Sequence, residues 1–510
     1  MGKEEIDIRF ESLLPEIKDF LRKRDIIDQE TLTRFLDPSF VRLRKPDYHL
    51  MKVVEKIEEV ISQQKKILIW GDEDMDGITA TRLLSTAIQK IKGHEIETYI
   101  PSRKKEGYGL SEKGINLAIK KGIDIIITVD CGITSFKEVQ YLLKKGLSVI
   151  ITDHHEPRER LPEALILDPK LGSFGYKYLA GAGVAFKLAD ALFAHLMDKP
   201  TNQWIRDIPE IPILAMIGTL GDRVPQLDEN RIFLNEGAKL LEITKDPSLS
   251  FLREKGKIRE AIEPLYSGAE DLTREFFSTV TKEKAREIYS KLEAKHLYWS
   301  IKAGENFSSF RGQLSTKHLV LFDPDMDRDF AGTIANRAKD YTGHPVFVVY
   351  MIGDKIRGEG RGPFGFDLLS VLDSVSDLLV DYGGHKVACG FVLKNGKVEE
   401  FRRRVTPLLQ RYEPNYHIDG RLKLKDITPE LQTLILKMKP FGKGNRPPVF
   451  LIENVDYKME NNVALLSDKE DTLKLDSIKE MPPPSRRVDA YLRLDGKKIC
   501  LLKWEWAGKV

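Results

Sequence analysis

From about residue 53, short apolar runs alternate along the chain with stretches in which apolar residues recur at helical spacing. The runs are four or five residues long and predict buried strands, and the stretches between them predict helices. The predicted order is strand 67–70, helix 78–91, strand 97–100, helix 111–121, strand 125–129, helix 135–145 and strand 148–152. Such alternation predicts a parallel sheet with helices on both faces, and therefore an α/β domain.

The pattern changes four times along the 510 residues, which agrees with several domains of about 100–200 residues each. The predicted division is an N-terminal helical segment at 1–50, an α/β domain at 51–236, a helical connector at 237–310, a second α/β domain at 311–410 and an OB-like β-barrel at 411–510. Strands are expected in the second α/β domain at 318–322, 346–351 and 388–393, and in the tail at 449–452, 472–475 and 498–503. A small barrel of short strands often binds nucleic acid.

Composition narrows the class of protein. The 81 Lys and Arg nearly balance the 78 Asp and Glu, so any basic surface must be local. Three cysteines argue against a disulfide scaffold and favour a reducing compartment. Because there is no apolar run of about 18 residues and no secretion signal, we expect a cytoplasmic protein without a membrane partner.

Polar side chains follow the predicted strands at the point where each strand ends. Because ligands bind beyond the carboxyl ends of parallel strands, these side chains should meet at one edge of the sheet. The apolar run at 211–220, which could be a helix or a strand, could bring one more carboxylate there. The residues concerned are Asp72, Asp74, Asp76, Asp130, Asp153, His154, His155 and Asp222.

Two other interpretations apply to the three alternating aspartates. The segment opens like a calcium-binding EF-hand loop, but its twelfth position is Leu83 where a bidentate Glu is needed, and it follows a strand where a helix is needed. An acidic cap of the next helix is reasonable, because the helix dipole favours aspartate at its N-terminus. The segment from Asp323 to Asp329 has the same alternation without nearby histidines, and there a cap is the preferred interpretation.

Carboxylates combined with imidazole make a mixed oxygen and nitrogen site, which suits Mn²⁺ or Mg²⁺ better than Zn²⁺. Asp130 could bridge two ions. Two ions about 3.5–4 Å apart activate water and stabilise both the attacking and the leaving oxygen at phosphorus. The sequence therefore predicts phosphoester hydrolysis, and Cys131 is expected to be a buried small residue and no nucleophile.

The motifs at these strand ends resemble those of the DHH phosphoesterases. Further motifs along the chain resemble those of one group within them, the RecJ single-strand-specific exonucleases. The resemblance covers about residues 50–450. Its motifs are Asp72-Glu-Asp-Met-Asp-Gly77, Val129-Asp-Cys-Gly132, Asp153-His-His155, Gly221-Asp222-Arg-Val-Pro225, Pro101-Ser-Arg103 with Gly107-Tyr-Gly-Leu110, Gly181-Ala-Gly-Val-Ala-Phe186, Asp381-Tyr-Gly-Gly-His385 and Pro440-Phe-Gly-Lys-Gly-Asn445.

The resemblance implies a role for each of these residues. Asp72 or Asp74, together with Asp130, would hold one Mn²⁺ or Mg²⁺ ion, and which of the two aspartates binds more directly stays open. The second ion would be held by Asp76, Asp130, His154 and Asp222. His155 would contact the scissile phosphate as a charge stabiliser or an acid. Substrate phosphates would be bound by Arg103, Arg361 and His385, and Tyr108 could stack a base.

The resemblance implies a metal-dependent exonuclease that degrades single-stranded DNA from the 5′ end to mononucleotides in repair or recombination. Its expected partners are single-stranded nucleic acid, DNA above all, and a single-strand-binding protein or a helicase. Two alternatives stay open: a phosphodiesterase for short RNA or dinucleotides, and an inactive DHH scaffold that binds single strands or replication proteins. The family's Asn-Ala-Ala-Gly-Arg stretch is not recognisable near Glu263 to Glu270, and its Gly-Ser-Gly-Arg-Ser stretch survives only as Gly358-Glu-Gly-Arg-Gly362.

Overall fold

A computed structural model provides the fold, and it divides the chain into two compact units. The first consists of Met1–Glu293 and His417–Val510, and the second of Ala294–Tyr416. The structure describes residues 8–266, 270–311, 314, 318–363, 365–412, 418–461, 463–479, 481–482, 487–496 and 498–507. Among them, no helix is both long and apolar enough to cross a membrane.

The first unit begins with three helices and then enters the predicted alternation of strands and helices. Its elements up to the end of the sheet are α1 (Pro15–Arg22), α2 (Gln29–Leu36), α3 (Tyr48–Ser62), β1 (Ile67–Trp70), α4 (Met75–Lys92), β2 (Glu97–Tyr99), α5 (Arg103–Glu106), α6 (Glu112–Lys120), β3 (Ile125–Val129), α7 (Phe136–Lys144), β4 (Ser148–Thr152) and β5 (Leu165–Leu167). All five strands pair in parallel in the order β2-β1-β3-β4-β5. The predicted parallel sheet is confirmed, with β5 as an additional edge strand.

Helices follow the sheet, and the last of them begins in the first segment and continues beyond Glu293. They are α8 (Gly181–Met197), α9 (Thr201–Asp207), α10 (Glu210–Gly221), α11 (Asp228–Leu241), α12 (Pro247–Glu254), α13 (Ile258–Ala261), α14 (Glu270–Phe277) and α15 (Lys282–Arg311). The ambiguous run at 211–220 is thus a helix, α10, which is apolar all round because α4, α8 and α11 pack against it. A helix buried on all sides leaves no polar face to set a helical period, which is why its sequence was ambiguous.

The second unit is an α/β domain with a mixed five-stranded sheet. Its elements are β6 (Val320–Phe322), α16 (Arg328–Thr342), β7 (Val346–Ile352), β8 (Lys355–Arg361), α17 (Leu368–Asp373), β9 (Leu379–His385), β10 (Ala388–Leu393) and α18 (Val398–Gln410). The strand order is β6-β7-β8-β10-β9, and only the β6 and β7 pair is parallel. Asp327 caps α16 by accepting a hydrogen bond from the Asp329 amide, so the predicted cap is confirmed.

The C-terminal segment of the first unit is a seven-stranded sheet with one helix. Its elements are β11 (Gly420–Arg421), α19 (Pro429–Lys437), β12 (Val449–Glu460), β13 (Val463–Ser467), β14 (Thr472–Leu475), β15 (Ser477–Ile478), β16 (Arg487–Asp495) and β17 (Lys498–Trp506). The strands pair in the order β14-β13-β12-β16-β17-β15, and β11 adds to β12. The expected strands at 449–452, 472–475 and 498–503 all lie in this sheet.

Helices α1 and α2 share one apolar core with the C-terminal sheet. Phe20 of α1 meets Phe450 of β12 edge to face, with their ring centroids 5.9 Å apart. Arg231 of α11 is 1% exposed and donates hydrogen bonds to the carbonyls of Phe35 at 2.7 Å, Lys437 at 2.7 Å and Lys439 at 2.6 Å. The N-terminal segment therefore belongs to the structure of the C-terminal domain.

Candidate metal centre

The turn between β1 and α4 places three carboxylates at the carboxyl edge of the sheet. Asp74 is the N-cap of α4, and its Oδ1 accepts a hydrogen bond from the Gly77 amide at 3.1 Å. Asp76 is 2% exposed, and its two oxygens accept hydrogen bonds from the amides of Gly181 at 2.6 Å and Ala182 at 2.9 Å. The cap interpretation thus holds for Asp74, while Asp76 is bound by the N-terminus of α8.

Asp130 directly follows β3 and has a positive φ of 61°. Aspartate tolerates this left-handed conformation better than most residues, and such strain is often found at functional sites. Its Oδ1 is buried, accepts no hydrogen bond from the described residues and lies 3.0 Å from Nε2 of His154. A buried carboxylate oxygen facing an imidazole nitrogen without a hydrogen bond is an arrangement that a cation can bridge.

The segment after β4 gives His154 and His155 different contacts. Asp153 is fully buried, and its oxygens accept hydrogen bonds from the amides of Ile133 at 3.0 Å and His154 at 2.7 Å. Its Oδ1 also lies 2.7 Å from Nδ1 of His155. Asp153 therefore holds His155 by one ring nitrogen, which leaves Nε2 for a further contact.

His154 lies among the remaining carboxylates and is only 11% exposed. Its Nε2 is 3.8 Å from Oδ2 of Asp76, and its Nδ1 is 3.8 Å from Oδ2 of Asp222. Asp222 is the C-cap residue directly after α10, so α10 brings it to the sheet edge, as expected for either a helix or a strand at 211–220.

The predicted ligands come together in three overlapping groups, and within each group the candidate ligand atoms lie within 4.8 Å of one another. Each group contains at least one carboxylate and shares a member with another group. The groups are Asp72 with Asp74 and Asp130, Asp76 with His154 and Asp222, and Asp130 with His154 and His155.

The surroundings of the carboxylates in the centre disfavour their ionised form. Burial, followed by the charges of Asp222 and Asp74, raises the pKa of Asp76 well above its ordinary value. Burial and the charge of Asp76 do the same to the pKa of Asp130. A divalent cation would offset this repulsion and keep the carboxylates ionised. The mixed donor set and the buried oxygen of Asp130 both fit such an ion.

The two histidines differ in charge as well as in position. Burial and the neighbouring His155 lower the pKa of His154 to about 4, so its imidazole is neutral at pH 7, as a metal ligand must be. The hydrogen bond to Asp153 raises the pKa of His155. His155 is therefore the histidine suited to carry a proton.

Two of the predicted substrate-binding residues border the centre. Arg103 contacts Oδ2 of Asp72 through Nη2, which is also 3.0 Å from Oδ2 of Asp74. Burial still raises the pKa of Asp72, because it outweighs the ion pair with Arg103. The hydroxyl of Tyr108 lies 3.4 Å from Nδ1 of His155, and its ring is 5.3 Å from the guanidinium carbon of Arg103.

The other two predicted substrate-binding residues belong to the second unit. Arg361 ends β8 and pairs with Glu359 at 3.0 Å. The backbone of His385 pairs with Ala388 in the sheet, whereas the side chain of His385 lies outside the described part of the chain. Their predicted role in phosphate binding therefore stays a prediction.

Some residues of the centre had no role in the sequence analysis. Gly181 is one of them: it lies so close to Asp130 that a Cβ at position 181 would be 2.6 Å from Cβ of Asp130. Gly218 is another, because its Cβ would lie 2.6 Å from Oδ1 of Asp76. Asp153 was expected at the sheet edge from its position directly after β4, but its role in holding His155 was not predicted. Cys131 is fully buried, as predicted.

Three family models match the chain in sequence, and their order agrees with the folds described above. The N-terminal domain of the DHH family matches residues 66–219, the DHHA1 domain matches 315–411 and the RecJ OB domain matches 418–490. The first match contains every predicted metal ligand except Asp222, which lies three residues beyond it.

The single-stranded-DNA-specific exonuclease RecJ of Bacillus subtilis is 32% identical over 475 residues, which are 87% of this chain and 59% of that protein. The chain thus spans about three fifths of the length of that relative. The crystal structure of Thermus thermophilus RecJ with Mn²⁺ superposes with a TM-score of 0.72 at 24% identity, over 98% of this chain and 78% of that one. A crystal structure of exonuclease RecJ bound to manganese gives a TM-score of 0.58 at 29% identity, over 73% of this chain and 97% of that one. The chain thus matches a DHH domain, a DHHA1 domain and a RecJ OB domain in this order, and it is similar to RecJ exonucleases over most of its length.

Proposed function

We propose that this protein is a metal-dependent exonuclease that hydrolyses single-stranded DNA in the 5′ to 3′ direction to mononucleotides, in DNA repair or recombination. The observation that supports it most is the convergence of Asp72, Asp76, Asp130, His154 and Asp222 at one sheet edge. The similar B. subtilis protein is named for single-stranded DNA, and a similar solved RecJ is bound to manganese.

Two ions, Mn²⁺ or Mg²⁺, would be held by this chain's own carboxylates and His154. Asp72, Asp74 and Asp130 would hold one ion, and the second would be held by Asp76, Asp130, His154 and Asp222. When bound, such ions act as Lewis acids that activate water and neutralise charge on the phosphate. Asp130 belongs to both sets, so its loss should disturb the whole centre.

His155 would act directly on the substrate. Asp153 accepts a hydrogen bond from the Nδ1–H group of His155, which fixes the ring and raises the pKa of His155, so that the protonated form is favoured. The Nε2 proton is then available to a phosphate oxygen or to the leaving oxygen of the cut bond. The 45% exposure of the His155 side chain agrees with a group that meets substrate.

Arg103 and Tyr108 would bind the strand next to the cut. The guanidinium of Arg103 neutralises Asp72 and Asp74 in this structure, and its planar fork also matches the oxygens of a phosphate. Tyr108 offers an exposed ring to a base, a mode of binding that does not depend on sequence. Arg361 and His385 of the second unit would bind further phosphates.

The direction of cutting and the choice of DNA derive from the family resemblance. A single-strand-binding protein or a helicase as partner stays a prediction of the sequence. A cytoplasmic location belongs to the same proposal, and Cys131, Cys389 and Cys500 support it because all three are free and buried.

The test is hydrolysis of single-stranded DNA that carries a label at one end or the other, with Mn²⁺ and the purified full chain. We expect a 5′-labelled strand to release labelled mononucleotide at once and a 3′-labelled strand to shorten gradually. Asp130→Asn should abolish both reactions. The matched control is Asp323→Asn, which changes the first acid of the similar run before α16 and should leave activity intact.

Three results would contradict the proposal. One is the absence of hydrolysis by the unaltered protein, as an inactive scaffold predicts. Another is full activity of Asp130→Asn. The third is rapid turnover of dinucleotides with none of longer strands, which would indicate the alternative phosphodiesterase.

A further inference from the structure

A loop of the C-terminal segment lies beside the candidate metal centre. It comprises residues 439–445, between α19 and β12, and we call it the 439–445 loop. The amide of Gln226 donates a hydrogen bond to the carbonyl of Lys443 at 2.8 Å, and Gln226 is only four residues from Asp222. The loop therefore borders the end of the centre at which Asp222 lies.

The 439–445 loop is held firmly in place. Gln226 is buried, and its Oε1 accepts a hydrogen bond from Arg259 at 2.6 Å. Gly442 packs so closely on Gln226 that a Cβ there would lie 2.3 Å from the amide group of its side chain. Asn445 is fully buried and donates hydrogen bonds to the carbonyls of Met438 at 2.8 Å and Pro440 at 2.9 Å. The position of Lys443 is consequently fixed by its surroundings.

The side chain of Lys443 differs from those of the other lysines near it. Lys439 pairs with Asp495 at 2.8 Å, and Lys170 donates a hydrogen bond to the carbonyl of His154. Lys443 is exposed, and among the described residues no carboxylate lies within ion-pair distance of its ammonium group. The backbone of Lys443 is fixed beside Gln226, four residues after Asp222, so its ammonium is available for an anion next to the Asp222 end of the metal centre.

We propose that Lys443 is a substrate-binding residue that holds a backbone phosphate of the single strand at the Asp222 end of the metal centre. Arg103 occupies the Asp72 end. This inference rests on the proposed function and deepens it, because two cationic groups at different ends of the centre suit a strand with several phosphates. A lysine ammonium binds phosphate as a compact point charge without reading the base, which suits a nuclease that accepts any sequence.

The experiment compares Lys443→Gln, Lys443→Arg and the control Lys439→Gln in the full chain. Lys439 is in the same loop, and its replacement removes the same charge at a site where the ammonium already has a partner. Dissociation constants are measured by fluorescence anisotropy with a labelled 12-nucleotide single strand, with Ca²⁺ in place of Mn²⁺ to prevent cutting, at several salt concentrations. Thermal unfolding of each variant reports whether the loop is intact.

We expect Lys443→Gln to weaken binding roughly three- to tenfold and to reduce the slope of log affinity against log salt by about 0.7, the value for one phosphate contact on a single strand. Lys443→Arg should keep both values, and Lys439→Gln should match the unaltered protein. A purely structural role would lower the unfolding temperature without changing the salt slope.

Equal affinity and an equal slope for Lys443→Gln and Lys439→Gln would overturn the inference. So would a fall in unfolding temperature with an unchanged slope. If the unaltered protein cuts single strands while Lys443→Gln binds normally, this inference alone is wrong. If the unaltered protein neither binds nor cuts them, the proposed function is wrong as well.

Discussion

Replacing Gly181 by alanine tests whether the close approach of α8 sets the position of Asp130. The added Cβ would lie 2.6 Å from Cβ of Asp130 and 2.7 Å from its Oδ1. An ordinary contact begins at 3.4 Å, so Asp130 must retreat by about 0.8 Å, which is 3.4 minus 2.6. The amide of Gly181 also binds Asp76, so a shift of α8 would move a second carboxylate.

Metal ligands tolerate deviations of only about 0.2 Å, and a displacement near 1 Å at a reacting centre costs about 10²-fold in rate. We therefore expect Gly181→Ala to lower kcat about a hundredfold and the affinity for Mn²⁺ at least about tenfold. Hydrolysis of a labelled single strand measures the first effect, and calorimetric titration with Mn²⁺ measures the second.

Gly183→Ala is the matched control in the same helix. Its Cβ would meet only apolar atoms, at 3.2 Å from Leu179 and Phe233, so it adds a similar volume away from the carboxylates. Overpacking should cost each variant about 1–3 kcal/mol in the free energy of unfolding. The reasoning is refuted if Gly181→Ala binds Mn²⁺ and cuts DNA as well as Gly183→Ala does.

Three further predictions concern stability and substrate binding. Burial alone would raise the pKa of Glu106, but hydrogen bonds from Tyr99, Ser111 and Lys113 lower it to about 2. Because the pKa of Glu106 is lower in the folded protein than in the unfolded chain, its ionised carboxylate stabilises the fold above about pH 4.5, and this stabilisation is lost as the pH falls towards 2. The free energy of unfolding in urea should therefore depend less on pH in that range for Glu106→Gln than for the unaltered protein. Arg231→Met leaves the carbonyls of Phe35, Lys437 and Lys439 without the buried guanidinium that donates to them, and it should lower the free energy of unfolding by about 3 kcal/mol. Arg421→Met at an exposed ion pair should change the free energy of unfolding by less than about 1 kcal/mol. Tyr108→Ala should weaken single-strand binding in an anisotropy assay by about 1–3 kcal/mol, and Tyr108→Phe should retain most of it; equal binding by both variants would exclude stacking.

The first sheet could be predicted because its three inner strands are buried on both faces. β1, β3 and β4 are largely apolar runs, and the structure reproduces their predicted bounds. The strand-end rule also predicted that Asp72, Asp130 and His154 lie close together. Sequence was informative here because burial required an unbroken apolar signal.

The strands of the second unit were harder to predict for a physical reason. β8 reads Lys-Ile-Arg-Gly-Glu-Gly-Arg, and two of its inward positions are Gly358 and Gly360. Aromatic rings fill the space that side chains would occupy there, since a Cβ would lie 2.2 Å from Phe391 at position 358 and 2.6 Å from Phe347 at position 360. A strand whose buried face is made of glycine carries no apolar alternation.

Some roles in the candidate site could not be predicted from the sequence either. The role of Gly181 depends on the approach of α8 to a residue 51 positions earlier, and the role of Lys443 depends on a loop 221 positions after Asp222. No local pattern records such contacts. The pairing of Arg103 with Asp72 and Asp74 was likewise not predicted from the sequence.

The shared core of the N-terminal helices and the C-terminal sheet has a consequence for how the protein is made. Phe20 leaves the ribosome about 430 residues before its partner Phe450. At roughly 5–20 residues per second, α1 and α2 therefore wait about 20–90 s for the strands that cover their apolar faces. During that time Phe20, Leu21 and Leu32, all fully buried in the finished fold, have no native partner in the C-terminal sheet. During this interval α1 and α2 expose apolar surface that a chaperone would cover.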